Sequence, residues 1–144
     1  MLIVVFASAL TQPRASDQAR TPLLSGAQIG PQVFATIQRA CRDCHSEATV
    51  YPWYAHIVPM SWMIERDVND GREHLNFSKW NQYPIVRRER LLSEIANQVR
   101  DGGMPLPIYT FMHPDARLSE TEIDAIFQWT QIERARLIEE TLVK

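Results

Sequence analysis

The stretch ACRDCHS, residues 40–46, contains both cysteines of the chain, and a histidine directly follows the second one. Four kinds of site share the Cys-x-x-Cys spacing: a short disulfide, a redox-active dithiol, part of a structural zinc site and the attachment point of a haem. Each of these sites makes a different demand on the rest of the sequence, so the surrounding chain helps to separate them.

The sequence around the cysteine pair favours haem attachment. A disulfide across this spacing closes a very small loop, which adds little stability in the chain-entropy account. A thioredoxin-like dithiol belongs to a βαβ unit, and no alternating run of useful length predicts strands here. A zinc site needs a second ligand pair, which the scattered His56, His74 and His113 do not supply. A disulfide or reactive thiol pair remains the alternative.

A c-type haem needs only what this stretch contains: two thiols for its vinyl groups and an imidazole for its iron. Two intervening residues let one helical turn present the sulfurs of Cys41 and Cys44 to neighbouring edges of the macrocycle. His45 then projects over the iron as the predicted proximal ligand. A predicted helix leads into the motif, with Val33 and Ile37 on its apolar face.

Composition describes an ordinary globular domain. The chain has 144 residues, of which 45% are hydrophobic and 22% charged, and its net charge is −2. This length suits one domain, and the charge gives no reason to expect a nucleic-acid partner. The sequence shows no paired carboxylates, no Ser/His/Asp set and no glycine-rich phosphate loop. The sequence thus gives no reason to expect a hydrolase or a nucleotide-dependent enzyme, and we predict an electron carrier, with peroxidase-like activity as the alternative.

The hydrophobic periodicity predicts an all-α fold with about four helices and long, proline-rich loops. The first helix is expected from Pro31 and the second after Pro59. The third is predicted over 85–100, where it stops at a glycine pair. The capping box that begins at Ser119 predicts the start of the last helix. Long loops are uncommon in compact helical domains unless they surround something, which here would be a covalent haem.

The sequence of the N-terminus predicts that the protein is exported from the cytoplasm. An apolar run at residues 1–10 is too short to span a bilayer, and it resembles the hydrophobic part of a secretory signal without the usual positive start. We assign residues 1–30 to a signal or anchor-like segment with a linker, and residues 31–144 to the haem-binding domain. A periplasmic or other extracytoplasmic location follows, with possible membrane association through the N-terminus.

Six segments carry a resemblance to a known group, over about residues 31 to 138. They are CRDCHS (41–46), YPWY (51–54), VPMSW (58–62), GREHLNFSKW (71–80), GGMPLPIY (102–109) and HPDARLSETE (113–122). The sequence resembles the small cytochrome c-like haem-binding domain family of bacterial exported proteins. The resemblance implies a cytochrome c-like fold with a single haem c, covalently attached, outside the cytoplasm.

Met104 is the predicted sixth ligand of the iron. It follows a glycine pair and precedes Pro105, and Met104-Pro105 matches the pattern of the family it resembles. A core methionine that fills a gap is the plainer explanation. His/Met ligation would give a higher potential than two histidines. The other candidates for the sixth position are Met60, Met63, Met112, His56, His74 and His113, or no side chain at all.

Four aromatic residues are candidates for the haem surround, where they would contact the macrocycle or its propionates: Trp53, Tyr54, Trp62 and Trp80. Ordinary core packing explains them equally well. The sequence as a whole predicts an exported monohaem electron carrier that works with redox partner proteins. A haem sensor or peroxidase-like protein with an exchangeable sixth ligand is the second hypothesis, and a haem-free interaction domain is the third. The sequence does not indicate an oligomeric state.

Overall fold

The structure is a computed structural model that describes residues 22–143. These residues form helices and no strand, so the all-α class is confirmed. The helices are α1 (Pro31–Ala40), α2 (Arg42–His45), α3 (Met60–His74), α4 (Ile85–Arg100), α5 (Pro107–Met112) and α6 (Glu120–Leu142). Three short 3₁₀ segments lie at Trp53–His56, Phe77–Gln82 and Pro114–Ala116.

The core lies mainly between α4 and α6, the two longest helices, with α1 packed against α6. The predicted apolar stripe of α4 is buried at Leu91, Leu92 and Val99, while Ile95 is partly buried against the same cluster. From α6, Ile126 and Leu137 are among the least exposed side chains of the described residues. Burial of a large apolar side chain contributes roughly 1.5–3 kcal/mol, so this pair of helices is the main scaffold.

The start of α6 is fixed by the capping box that the sequence predicts. The Ser119 hydroxyl accepts a hydrogen bond from the Glu122 amide, and the Glu122 carboxylate accepts one from the Ser119 amide. Arg39 at the end of α1 reaches the same carboxylate and the backbone carbonyl of Asp115. The capping box therefore also joins α6 to the helix that leads into the cysteine pair.

Residues 22–30 lie against the body of the domain, although the sequence assigned them to a linker. Leu24 is buried, and its amide donates to the Phe77 carbonyl at 2.9 Å. The Trp129 indole donates to the Gln28 carbonyl at 2.8 Å. The fully buried Glu133 of α6 pairs with Arg136 at 2.6 Å and also accepts from the Gln28 amide. The signal or anchor-like run at residues 1–10, and the part of the predicted linker up to residue 21, lie outside the described residues.

The described residues form six α-helices, two more than the sequence predicted. The helix α2 adds one turn directly after α1, and α5 occupies a stretch that the sequence predicted to be a proline-rich loop. Pro107 stands at the first position of α5, where a missing amide hydrogen costs nothing and the fixed φ suits a helix. The prediction missed α5 because proline disfavours a helical conformation at the residue before it but suits the first position of a helix that follows.

Candidate functional site

The cysteine and histidine residues of the motif lie on one turn of helix. The Cys41 amide donates to the Ile37 carbonyl at 2.9 Å, and the His45 amide donates to the Cys41 carbonyl at 3.0 Å. The backbone kinks at Cys41, where φ is −125°, and thereby separates α1 from α2. This hydrogen bonding gives the motif the helical turn that covalent haem attachment requires.

His45 is oriented by the end of α3. Its Nδ1 atom donates to the carbonyl oxygens of Gly71 at 3.1 Å and Leu75 at 3.0 Å. The Nε2 atom is thereby left as the nitrogen with a free lone pair. Metal-binding histidines commonly donate their other ring N–H to a backbone carbonyl in this way. Burial lowers the pKa of His45, which favours the neutral imidazole that binds a metal.

The close approach of α3 to the motif depends on Gly71. A Cβ atom at this position would lie 2.6 Å from the Cys44 carbonyl oxygen and 3.3 Å from its Cβ atom. Real Cβ atoms do not approach backbone atoms so closely, so any larger residue would force α3 away from α2. The absence of a side chain at Gly71 is therefore what lets the backbone of α3 lie against the Cys-x-x-Cys-His motif.

The two thiols are separate and protonated. Cys41 and Cys44 form no disulfide. Burial, and then the neighbouring Cys44, raise the pKa of Cys41 to about 12. Burial, and then the Asp43 carboxylate, raise the pKa of Cys44 to about 11. Thiols with such raised pKa values form little thiolate at neutral pH, and because the thiolate is the nucleophile, this argues against a role in fast disulfide exchange.

A cavity of about 350 Å³ opens beside the motif, within the usual size range of ligand pockets. Cys41 and His45 form one part of its wall, and Met104 with Pro105 forms another. The remaining wall is mostly apolar and comes from α1, α4, α6 and the segment after α3: Ile37, Ala40, His74, Leu75, Phe77, Leu91, Glu94, Ile95, Gln98, Val99 and Ile126. A thiol, an imidazole and a thioether around one apolar space are the groups that a His/Met haem site needs.

Met104 is held by the way α4 ends. Gly102 adopts φ +72°, and its amide donates to the Val99 carbonyl at 3.4 Å. The amides of Gly103 and Met104 both donate to the Gln98 carbonyl, at 2.9 and 3.1 Å. The first two bonds are those of a Schellman motif, which here requires glycine at its left-handed position. The predicted glycine stop of α4 thus fixes the backbone of Met104.

The other candidates for the sixth position divide between two places. His74 lines the same cavity as Met104, and its Nε2 atom donates to Glu94 at 2.9 Å. Met60, Met63, Met112 and His113 surround a separate, smaller hollow of about 70 Å³, which Cys44 also borders. His56 is exposed. Only Met104 and His74 therefore share a cavity with His45 among the candidates that the sequence offers.

The four aromatic candidates are not gathered at the large cavity. Trp53 and Trp62 are 76% and 66% exposed, and Tyr54 lines the smaller hollow. Trp80 is fully buried in the core, and its indole N–H finds no hydrogen-bond partner within the described part of the chain. Their contacts with a haem stay predictions. The aromatic ring that does stand beside His45 belongs to Phe77, 6.0 Å away between ring centroids.

Several residues that shape the site gave no signal in the sequence. The carbonyl of Leu75 and the ring of Phe77 meet His45 from about thirty positions away in the chain. Arg72 donates to the Ser46 carbonyl at 2.8 Å and so holds the chain just after the motif. These are tertiary contacts between segments, and no local spacing encodes them.

Comparison with known proteins gives one match. A family model described as a haem-binding domain matches residues 1–132. No curated protein and no solved structure matches the chain. In residues 22–143 no helix is both long and apolar enough to cross a membrane.

Proposed function

The chain belongs to the haem-binding domain family, and from this premise we propose that it is an exported monohaem c-type cytochrome that carries single electrons. Haem binding follows from the family. The covalent attachment, the ligands and the redox role are the proposal. The observation that supports it is that His45 and Met104 line one mostly apolar cavity, which Cys41 also lines.

Cys41 and Cys44 would attach the haem through thioether bonds. One such motif per chain gives one haem c per chain. Both sulfurs lie on a helical turn whose backbone is hydrogen bonded and whose neighbour α3 is packed against it at Gly71. When bound, the haem supplies a centre that exchanges one electron between its ferrous and ferric states.

The protein's own residues would position that centre and keep it from other chemistry. The Gly71 and Leu75 carbonyls fix the ring of His45 and the nitrogen that faces the cavity. The end of α4 fixes Met104, whose thioether favours ferrous iron and raises the potential relative to a second histidine. Apolar residues line most of the cavity and exclude water. Two ligands that stay in place support electron transfer without substrate turnover.

Covalent attachment is tested by denaturation. Protein made together with c-type maturation machinery should keep its haem on a denaturing gel, and the Cys41→Ala/Cys44→Ala double variant should lose it. A ferric spectrum of the holoprotein tests the sixth ligand, since thioether–iron bonds give a weak far-red band. Wild type with no covalent haem under these conditions would contradict the proposal.

The second candidate function is a haem sensor or peroxidase-like protein with an exchangeable sixth ligand. The observation in its favour is the hydrogen-bonded pair of His74 and Glu94 on the cavity wall, because such a pair can move protons during peroxide chemistry. Carbon monoxide binding by the reduced wild type separates the two. Ready binding favours the second candidate, and an unchanged spectrum favours the electron carrier.

Export belongs to the proposal because of the apolar run at residues 1–10 and the oxidising compartment that c-type haem proteins occupy. We propose a periplasmic or otherwise extracytoplasmic location, either free or held by the N-terminus, and redox proteins as partners. Cell fractionation of the full-length chain tests this, with N-terminal sequencing of the mature protein. Recovery of haem-loaded protein only from the cytoplasm would contradict it.

A further inference from the structure

Two long stretches of the chain contain no Asp, Glu, Lys or Arg. They are residues 48–64 and residues 102–114, in a protein of which 22% is charged. Both stretches border the smaller hollow, the first through Tyr54 and Met60 and the second through Ile108 and Met112. Two segments far apart in sequence thus meet and form one surface, which we name the uncharged face.

Large apolar side chains project from the uncharged face. Those most exposed include Trp53, Ile57, Val58, Trp62, Ile108 and Phe111. Single exposed apolar residues need no explanation, but a contiguous group without charges marks an interaction site on a soluble domain. Aromatic residues and methionine are also the types enriched at the centres of protein interfaces.

Polar contacts hold the two stretches of the uncharged face together. A hydrogen bond of 2.6 Å joins the Tyr54 hydroxyl to His113 Nε2, and the Tyr109 hydroxyl donates to Asp43 at 3.0 Å. The rings of Tyr109 and His113 stack at 4.5 Å. These contacts cross between the two uncharged stretches and the haem-attachment motif. The face therefore has a defined shape and does not consist of two independent loops.

The uncharged face adjoins the haem site. Cys44 borders the smaller hollow, and the segment that supplies Met104 and Pro105 to the large cavity continues directly into Leu106 and Ile108 at the hollow. A molecule that covers this face would lie beside Cys44, which would carry a thioether bond to the haem, and beside the loop that would supply the sixth ligand. This position suits electron exchange with the cofactor.

We propose that the uncharged face is the docking surface for a redox partner protein whose own docking surface is apolar and uncharged. The proposal rests on the proposed function as an electron carrier. One electron passes between the ferrous haem iron and a one-electron acceptor centre in the partner, and no bond is made or broken. Asp43, which is hydrogen bonded to Tyr109, and Asp67 line the hollow, but the two stretches that form the face supply no charged side chain. An apolar, uncharged partner surface fits them best, because most charges of a charged partner surface would be buried without a pair.

The same absence of charge argues against a membrane surface as the occupant. Helices and loops that lie on membranes usually carry Lys or Arg beside their apolar residues and so reach anionic headgroups. The uncharged face has neither. Docking there is also expected to be insensitive to salt, since long-range steering requires charges on the docking surface.

The test uses haem-loaded protein and gold surfaces coated with methyl-, carboxylate- or amine-terminated thiols. Adsorbed mass is measured on a quartz microbalance, and electron transfer by voltammetry on the same surfaces. The test variant is Phe111→Glu/Ile57→Glu, at side chains 71% and 50% exposed. The matched control is Ile132→Glu/Ile138→Glu on α6, at 70% and 49% exposure.

Wild type and the control variant should adsorb to the methyl surface and exchange electrons there, independently of salt. The test variant should lose roughly tenfold or more in apparent affinity, because two apolar contacts become carboxylates. Equal adsorption of the test and control variants, or preference of the wild type for a charged surface, would overturn the proposal.

Further measurements separate the other outcomes. Binding of wild type, but not the test variant, to vesicles of zwitterionic phosphatidylcholine would show a membrane surface and overturn the proposal. A dimer in sedimentation velocity that dissociates in the test variant would show a second copy and also overturn it. Optical redox titration in solution tests the proposed function alone. If the haem shows no reversible oxidation and reduction in this titration, the proposed function as an electron carrier is wrong, independently of the adsorption result.

Discussion

Gly71→Ala is the substitution that most directly tests how the His45 side of the proposed haem site is built. The added methyl group would stand 2.6 Å from the Cys44 carbonyl oxygen and 3.2 Å from its carbonyl carbon. Both are backbone atoms of the helical turn that carries the cysteines, so no side-chain rotation relieves the clash. The helix α3 has to move away from α2.

Three effects determine the size of the change, of which two destabilise the fold and one stabilises it. Overpacking of this kind costs about 1–3 kcal/mol, and contact with backbone places it near the upper end. Alanine is a better helix former than glycine and returns about 1 kcal/mol. The Gly71 carbonyl also accepts from His45, and weakening one such hydrogen bond costs about 1 kcal/mol. The expected net loss in the free energy of unfolding is therefore about 2–3 kcal/mol.

Urea unfolding of the haem-loaded protein, followed by far-UV circular dichroism and by the haem absorbance, measures this loss. Gly30→Ala is the control, because no atom lies within 4 Å of a Cβ placed at Gly30. It is the N-cap of α1, where alanine is less favourable than glycine by roughly 0.5–1 kcal/mol, which is well below the loss expected at Gly71. If Gly71→Ala proved as stable as Gly30→Ala, with an unchanged haem spectrum, the proposed close contact between α3 and the motif would be wrong.

Three further predictions concern the distal ligand and two ion pairs. Met104→Ala should abolish the far-red ferric band and allow carbon monoxide to bind the reduced protein; an unchanged band would assign the sixth position to another residue. The N-cap amide of α6 and then Arg39 hold the pKa of Glu122 below its usual range. Its charged form therefore stabilises the fold above about pH 4, and this contribution is lost as the pH falls through the lowered pKa. Glu122→Gln should cost up to about 1 kcal/mol in urea unfolding at pH 7 and less near pH 3, and a constant difference would contradict the assignment. Arg136→Met leaves the buried Glu133 without its partner and should cost about 3 kcal/mol; recovery of stability in Arg136→Met/Glu133→Leu would show that the unpaired charge is the cause.

Much of the helical framework could be predicted from the sequence because it depends on local signals. The helix predicted over 85–100 is α4, with its glycine stop, and the capping box at Ser119 begins α6. Both predictions used periodicity and end residues within a few positions of each other. The short helix α5 could not be predicted with the same certainty, because proline has two effects. It disfavours helix at the residue before it, which indicates a loop, but it also suits the first position of a helix, which Pro107 occupies.

The candidate site was predictable only where its parts adjoin in sequence. Cys41, Cys44 and His45 form one turn, so their spacing carries their arrangement. The burial of Trp80 and the exposure of Trp53 could not be separated, because neither lies in a segment with a helical period. The carbonyls that orient His45 come from another helix, and backbone carbonyls have no residue type to recognise.

The two carbonyls that hold His45 have an electrostatic consequence. Both belong to the C-terminal end of α3, where the aligned peptide dipoles leave a partial negative charge. This field acts on the ring N–H and increases the electron density of the opposite nitrogen, so in the proposed site it would favour ferric iron. The proposed thioether ligand from the end of α4 would act in the other direction. The potential of the proposed haem would then be a balance between two helix ends, and lengthening or shortening α3 by a turn would offer a way to tune it without changing either ligand.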